Sequence, residues 1–388
     1  MNEINRVLII GGYGNFGQFI ARELVKETNI QLVVAGRNLK KAQQFATVLN
    51  QTSASSDLQV NYQVEAAYLD INKNLPEVLA TISPQIVIHT SGPFQSQSYH
   101  VAESCIAAGC HYIDLADGRE FVIGISSLHQ QAVKNKVSII SGASSVPCLT
   151  SALLDDFKAQ FRALERVDYG ITTAQKTTRG LATTAAILGY TGKAFETLID
   201  GKMQTVYGWQ DLHSHQYKKL GKRLLGNCDV PDLGLFSQRY PELKTIRFYA
   251  GLEIKFIHRT LWFLSWLVRL GLIRNLQRWA PFLLRSSFLF DFMGSDKSGF
   301  HMIVSATDKK GQPAKITFEL TAASGDGPYI PCMPAILLTR KLLQGQIDSY
   351  GAFPCMGFIS KDEYLNALTE LDIHWEQSGQ VTGSPLTQ

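Results

Sequence analysis

The chain has 388 residues, with 37 basic and 33 acidic side chains and a net charge of +4, a balance that gives no footprint for nucleic acid. Its length allows an ample core and favours two domains over one. Six cysteines (Cys105, Cys110, Cys148, Cys228, Cys332 and Cys355) lie scattered without a C-x-x-C pair, so neither a zinc site nor a disulfide framework is indicated. The first strand starts close to Met1 and leaves no room for a signal peptide, so the expected compartment is the reducing cytosol.

Val7-Leu8-Ile9-Ile10 is an apolar β-run that enters Gly11-Gly12-Tyr13-Gly14-Asn15-Phe16-Gly17, and a helix is expected over Gln18 to Glu27. Gly12, Gly14 and Gly17 fit the G-x-G-x-x-G spacing: a tight turn, backbone approach to a pyrophosphate, and close packing of helix on strand. The helix start then offers free N–H groups and a positive dipole end to phosphates. Between strand and helix, the motif predicts a dinucleotide site in which Tyr13, Asn15 and Phe16 share.

The next β-run, Val33-Val34-Ala35-Gly36, ends on Arg37-Asn38 with Lys40 and Lys41 following. An NAD site usually places Asp or Glu there for the ribose hydroxyls, whereas a guanidinium holds a 2′-phosphate through paired charge-assisted bonds. NADP(H) is therefore the expected cofactor, held by Gly36, Arg37 and Asn38. Further strands are expected over Val60–Leu69, with Asp70 at the adenine edge, over Gln85–His89, His111–Leu115 and Val137–Ile140, with a helix over Tyr99–Ala108. Strands alternating with helices predict a doubly wound parallel sheet whose ligands bind beyond the strands' carboxyl ends, where Ser91-Gly92-Pro93-Phe94 also falls.

From about Thr150 the pattern changes. A helix over Ser151–Phe161 precedes strands at Arg166–Thr173, Phe300–Thr307 and Lys315–Thr321, the last two joined by the turn Asp308-Lys309-Lys310-Gly311-Gln312. The fold class expected is α/β, an N-terminal Rossmann domain followed by an α+β domain with antiparallel strands. The expected divisions are 1–150 for nucleotide binding, 151–330 for substrate and dimerisation, 331–376 packing back on the first domain, and a frayed tail over 377–388. Within the second domain, residues 256–293 carry aromatic and aliphatic blocks broken by Arg269, Arg274, Arg278 and Arg285. These blocks, about a dozen residues each, fall short of the roughly 20 needed to span a bilayer. A buried hairpin or homodimer interface is the preferred reading, ahead of a membrane-surface helix and a lining for a greasy substrate.

Together, Gly11 to Gly17, Ala35-Gly36-Arg37, Ser91 to Phe94, Ala108 to Leu115, Gly327-Pro328-Tyr329-Ile330-Pro331 and Gly351-Ala352-Phe353-Pro354 resemble the saccharopine dehydrogenase-like oxidoreductases. The resemblance covers nearly the whole chain and is nearest an uncharacterised bacterial branch. It implies a nicotinamide-dependent oxidoreductase acting on a small molecule, in a family that includes saccharopine reductases, related C–N bond-forming enzymes and lipid-linked enoyl reductases. Relatives commonly carry a Pro-Gly turn after the last Rossmann strand, whereas this chain reads Gly142-Ala143-Ser144-Ser145-Val146-Pro147, so only cofactor positions are transferred.

Hydride transfer also needs a proton donor. Tyr99, His100, Tyr112, Asp114 and Asp117 are available, and Tyr112 and Asp114, at a strand end, are the expected catalytic pair. No G-x-S-x-G, H-E-x-x-H or P-loop is present, and His213-Ser214-His215 alone makes no metal site. A non-catalytic NADP-binding sensor or membrane-associated scaffold is the competing class, separated by whether NADPH is consumed.

Overall fold

The computed structural model describes residues 5–54 and 62–380. The chain divides into two compact units, Met1–Ala152 with Pro328–Tyr364, and Leu153–Gly327 with Leu365–Gln388.

The first unit is built on β1 (Asn5–Ile10), β2 (Ile30–Gly36), β3 (Glu65–Tyr68), β4 (Ile86–His89), β5 (His111–Asp114) and β6 (Ser138–Ser141). All pair in parallel. Val7 to Ile10 are buried, as are Leu32 to Ala35 beside them, because a strand with helices on both faces has no solvent side and reads as a continuous apolar run. β1 sits between β4 and β2, so the chain reverses direction across the sheet there, and the crevice beyond the carboxyl ends of β1 and β4 is the topological switch point. Val60 and Asn61, at the start of the expected third strand, lie outside the described residues.

The second unit holds β7 (Ala163–Thr173), β8 (Ala194–Ile199), β9 (Lys202–Tyr207), β10 (His213–Tyr217), β11 (Gly221–Asn227), β12 (Thr245–Leu252), β13 (Ser298–Thr307) and β14 (Pro313–Ala322). β8 and β9 form a separate hairpin. The β13–β14 hairpin turns at the expected residues, but the sheet is mixed: β12 runs parallel to β7. Alternation sets its faces. Phe300, Met302 and Val304 are buried with Ile316 and Phe318, while His301, Ile303 and Ser305 share the opposite side.

β15 (Gly351–Pro354) returns to the first sheet beside β6, which makes the order β15-β6-β5-β4-β1-β2-β3. β16 (Ile373–Gln380) pairs with β14 at the edge of the second sheet, so the ladder continues past Glu376, where a frayed tail is expected from sequence. The C-terminal stretch thus divides at Tyr364. Pairing along β14 decides this, because the chain after Glu376 has little apolar content of its own to mark a strand.

The aromatic segment forms helices over Lys255–Arg269 and Ala280–Phe288. It is not buried within its unit: Phe263, Trp279, Phe282 and Leu289 are each more than half exposed. The sides that face the protein carry His258, Leu261 and Ser265 in the first helix and Leu276 and Ala280 at the start of the second, all buried, and Arg269 reaches Gln210 at 2.7 Å.

Candidate functional site

The glycine turn connects β1 to the helix Gly17–Leu24. Gly11, rather than Gly12, adopts the left-handed conformation, with φ of 81°. The N–H groups of Gly11 and Gly12 both donate to the Ala35 carbonyl (2.8 and 3.2 Å), which ties the turn to β2. Gly14 N–H donates to the Gly11 carbonyl at 2.8 Å. A β-carbon on Gly14 would lie 2.9 Å from that same oxygen, so the constraint at Gly14 is set by the turn as well as by any phosphate in front of it. At Gly17 a β-carbon would come within 2.3 Å of the Gly11 carbonyl and 2.8 Å of Gly12 Cα, which is why the helix start can approach the turn only as glycine.

Among the described residues, no acceptor engages the backbone N–H groups of Asn15, Phe16 and Gly17, and the buried Oδ1 of Asn15 has no partner either. The helix has no acid in its first turn. Open donors at a positive helix end are what an anionic pyrophosphate requires, so the cradle fits a dinucleotide. The helix is braced from behind by Tyr329–Leu343, through the Phe19–Tyr329 ring contact at 4.7 Å and Cys332 Sγ at 3.5 Å from the Phe16 carbonyl. Sequence spacing gives no signal for this long-range contact.

At the end of β2 the residues divide by role. Tyr13 lies across Gly36, where a β-carbon would meet the tyrosine ring at 2.7 Å, and the Tyr13 hydroxyl accepts the Asn38 N–H at 2.9 Å. Asn38 Oδ1 accepts the Lys41 N–H at 3.0 Å and so caps the helix Leu39–Ala54. Asn38 is therefore held by local structure. Arg37 is exposed and, among the described residues, makes no hydrogen bond or ion pair. Asp70 is drawn into its own turn: its Oδ1 accepts the Asn72 N–H at 3.1 Å.

Beyond β4, Gln97 Nε2 donates to the Ser91 and Pro93 carbonyls (2.7 and 3.1 Å) and fixes the Ser91-Gly92-Pro93 bend. Phe94 turns inward, 4 % exposed, against His89 and Phe121, so its ring builds core rather than shaping an open pocket.

Tyr112 and Asp114 are completely buried, with no surface to present to a substrate. The Tyr112 hydroxyl shares a hydrogen bond with His89 Nδ1 at 3.1 Å. Asp114 Oδ1 accepts three donors, the N–H groups of Ala116 and Gly142 and the Ser141 hydroxyl, each at 2.9 Å. One carboxylate thus holds the loops after β5 and β6 in register, which period-2 reading of a short apolar strand does not reveal. Burial pushes the Asp114 carboxyl up to about 6, against the pull of those hydrogen bonds, and holds His89 neutral, down to about 3. Of the other donors considered, Tyr99 donates to the Phe121 carbonyl (2.9 Å), His100 Nε2 lies 3.0 Å from the Ile71 carbonyl, and Asp117 accepts from Gln95 (3.0 Å).

The raised Asp114 value has a testable sign. The folded carboxyl keeps its proton to about 6 while the unfolded one releases it near 3.8, so the native state holds the extra proton between these values and stability falls as pH rises through them. Asp114→Asn keeps the acceptor oxygen and removes the titration. The melting temperature of the variant relative to wild type is expected to climb from about pH 4 to about pH 6. A constant difference across that window would contradict the assignment.

The second unit carries a separate cluster that the histidine spacing alone does not reveal. Strand pairing brings His213, His215, Tyr249 and His301 to a cavity of about 360 Å³ with the Arg166–Asp168 ion pair. His215 stacks on His301 at 4.0 Å and its Nε2 meets Glu319 at 2.7 Å. Among the described residues no group of three or more His, Cys, Asp or Glu is placed to hold a metal ion.

A doubly wound parallel sheet, an open glycine cradle at its switch point and an uncommitted cation at the end of the second strand define a dinucleotide-binding Rossmann unit. Residues 7–140 match the family described as saccharopine dehydrogenase NADP binding domain. The protein is an oxidoreductase and its cofactor is NADP(H). Among solved structures, apo saccharopine dehydrogenase (L-Glu forming) from Saccharomyces cerevisiae shares the fold, with a TM-score of 0.66 at 14% identity over 96% of this chain and 100% of that one. GenD2 from gentamicin A biosynthesis, in complex with NAD, aligns at a TM-score of 0.44 and 12% identity over 97% of each chain. A search of curated proteins finds no match to the sequence.

Proposed function

We propose that the protein transfers a hydride between NADP(H) and a C=N, C=O or C=C group of a small molecule, and that Arg37 selects the phosphorylated cofactor. The observation that carries the reading is the end of β2: an exposed guanidinium with no partner among the described residues, where an NAD site would hold a carboxylate. Asn15, Phe16 and Gly17 would receive the pyrophosphate through their open N–H groups, and Gly12, Gly14 and Gly36 keep the backbone low enough for it to approach. When bound, the nicotinamide supplies or accepts the hydride.

The chain's own task is then positional. Gln97 fixes the Ser91-Gly92-Pro93 bend beyond β4, and Asp114 fixes the turn at Ser141 and Gly142 beyond β6, so both loops at the carboxyl ends of the strands are tied down by hydrogen bonds. Tyr112 and Asp114 act as positioning residues in this reading, because neither reaches the surface. The test is transfer of deuterium from NADPH labelled at nicotinamide C4 to a panel of imines, ketones and enoyl compounds. Label appearing in any one class names the substrate chemistry. Tight NADPH binding with no transfer to all three would overturn hydride transfer as the function.

A further inference from the structure

We infer that the helices Lys255–Arg269 and Ala280–Phe288 form a docking face for the surface of an anionic phospholipid bilayer. The inference is independent of the cofactor site, since the whole segment belongs to the second unit.

Eleven of the nineteen large apolar side chains exposed among the described residues fall between Phe256 and Met293, and several, such as Leu272, Leu289 and Phe292, are 70 % exposed or more. Scattered exposed leucines need no explanation, but such a concentration in one short segment does. The spacing shows that it is organised. In the first helix Arg259, Phe263, Trp266 and Leu270 recur at intervals of four, three and four, the outward stripe opposite buried His258, Leu261 and Ser265. In and around the second helix Arg278, Phe282, Arg285 and Leu289 repeat the same intervals, again exposed. Arginine and apolar side chains share each stripe, the arrangement of a helix lying in an interface, its rings in the acyl boundary and its cations among headgroups.

Charge selects the occupant. Between Lys255 and Met293 stand six cations, Lys255 and five arginines, all exposed, and one acid, Asp291. That acid is already paired with Arg179. A second copy of the chain docking through the same face would set two strongly positive patches against each other, and like charges facing across an interface oppose association. An anionic headgroup layer complements the patch, at roughly 1 kcal/mol, or about fivefold in affinity, for each Lys or Arg near its surface. The face lies on the bilayer and does not cross it, since no helix among the described residues is long and apolar enough to span a membrane.

The test is flotation of the full-length chain with vesicles of phosphatidylcholine alone and of phosphatidylcholine mixed with phosphatidylserine. The chain is expected to float with the mixed vesicles, and to lose this association as salt is raised or phosphatidylserine is omitted. Arg274→Gln/Arg278→Gln/Arg285→Gln is expected to weaken binding about 100-fold, from roughly fivefold per arginine. Phe263→Ser/Phe282→Ser is expected to abolish it. All these positions are exposed, and a cooperative thermal melt of both variants at the wild-type temperature checks that the chain remains folded. A wild-type chain that stays unbound with mixed vesicles would overturn the inference. So would a homodimer, in solution without lipid, that Phe263→Ser/Phe282→Ser converts to monomers.

Discussion

Gly17→Ala is expected to destroy NADPH binding and lower the melting temperature of the protein, a larger effect than one added methyl group usually has. The new carbon would stand 2.3 Å from the Gly11 carbonyl oxygen and 2.8 Å from Gly12 Cα, both backbone atoms that cannot rotate away. Either the helix retreats from the turn or the turn opens. In both cases the Ala35 carbonyl loses its grip on Gly11 and Gly12, and the open N–H groups of Asn15 to Gly17 no longer converge. Overpacking a close contact costs about 1–3 kcal/mol in stability. Loss of convergence removes several charge-assisted hydrogen bonds to the pyrophosphate at once, so affinity is expected to fall by at least about 100-fold. Gly109→Ala is the control, because a β-carbon there meets nothing within 4 Å and the strain is confined to its φ of 69°. A Gly17→Ala protein that melts with wild type and titrates normally with NADPH would remove the dinucleotide cradle from the N-terminal turn.

Arg37→Ala is expected to weaken NADPH by about 10- to 100-fold and leave NADH nearly unchanged, since hydrogen bonds to charged groups contribute roughly 1.5–3 kcal/mol each. The structure sharpens the expectation in one way. Asn38 is occupied on both sides, by the Tyr13 hydroxyl and the Lys41 N–H, so little of the selectivity falls to it. Arg37 has nothing to release before engaging a phosphate. Arg37→Lys is expected to recover part of the loss, because an ammonium keeps the charge but not the paired geometry. Equal losses for the two cofactors, measured by titration calorimetry, would end the assignment.

Local periodicity was enough for most of the first unit. Val7 to Ile10, Val33 to Gly36 and Ile86 to His89 each follow from short apolar runs ended by glycine or polar turns, and a parallel sheet buried on both faces leaves such runs little freedom to be anything else. The glycine spacing marked the tight turn after β1 for the same reason: close approach of backbone to backbone tolerates no side chain, and that requirement is written in the sequence. The β13–β14 hairpin was equally legible from its turn residues.

What the sequence left open lay in contacts between distant segments. Gly11 has the left-handed φ, and the neighbours that would crowd a side chain there, Thr90 and Ser91, come from another strand end. Tyr112 and Asp114 lie at the end of β5, as expected, yet both are fully buried, Tyr112 in the apolar core with Val101, Cys105 and Leu128 and Asp114 among the loop groups it binds, since burial depends on what packs around a residue and not on its place along a strand. The bracing of the helix Gly17–Leu24 by Tyr329–Leu343, the return of β15 to the first sheet and the assembly of three histidines on the second each join residues far apart in the chain. The aromatic segment shows the division most sharply. Its sequence determined two amphipathic helices rich in arginine, but which side would face water followed only from the narrow stripe of contacts the second unit had to offer them.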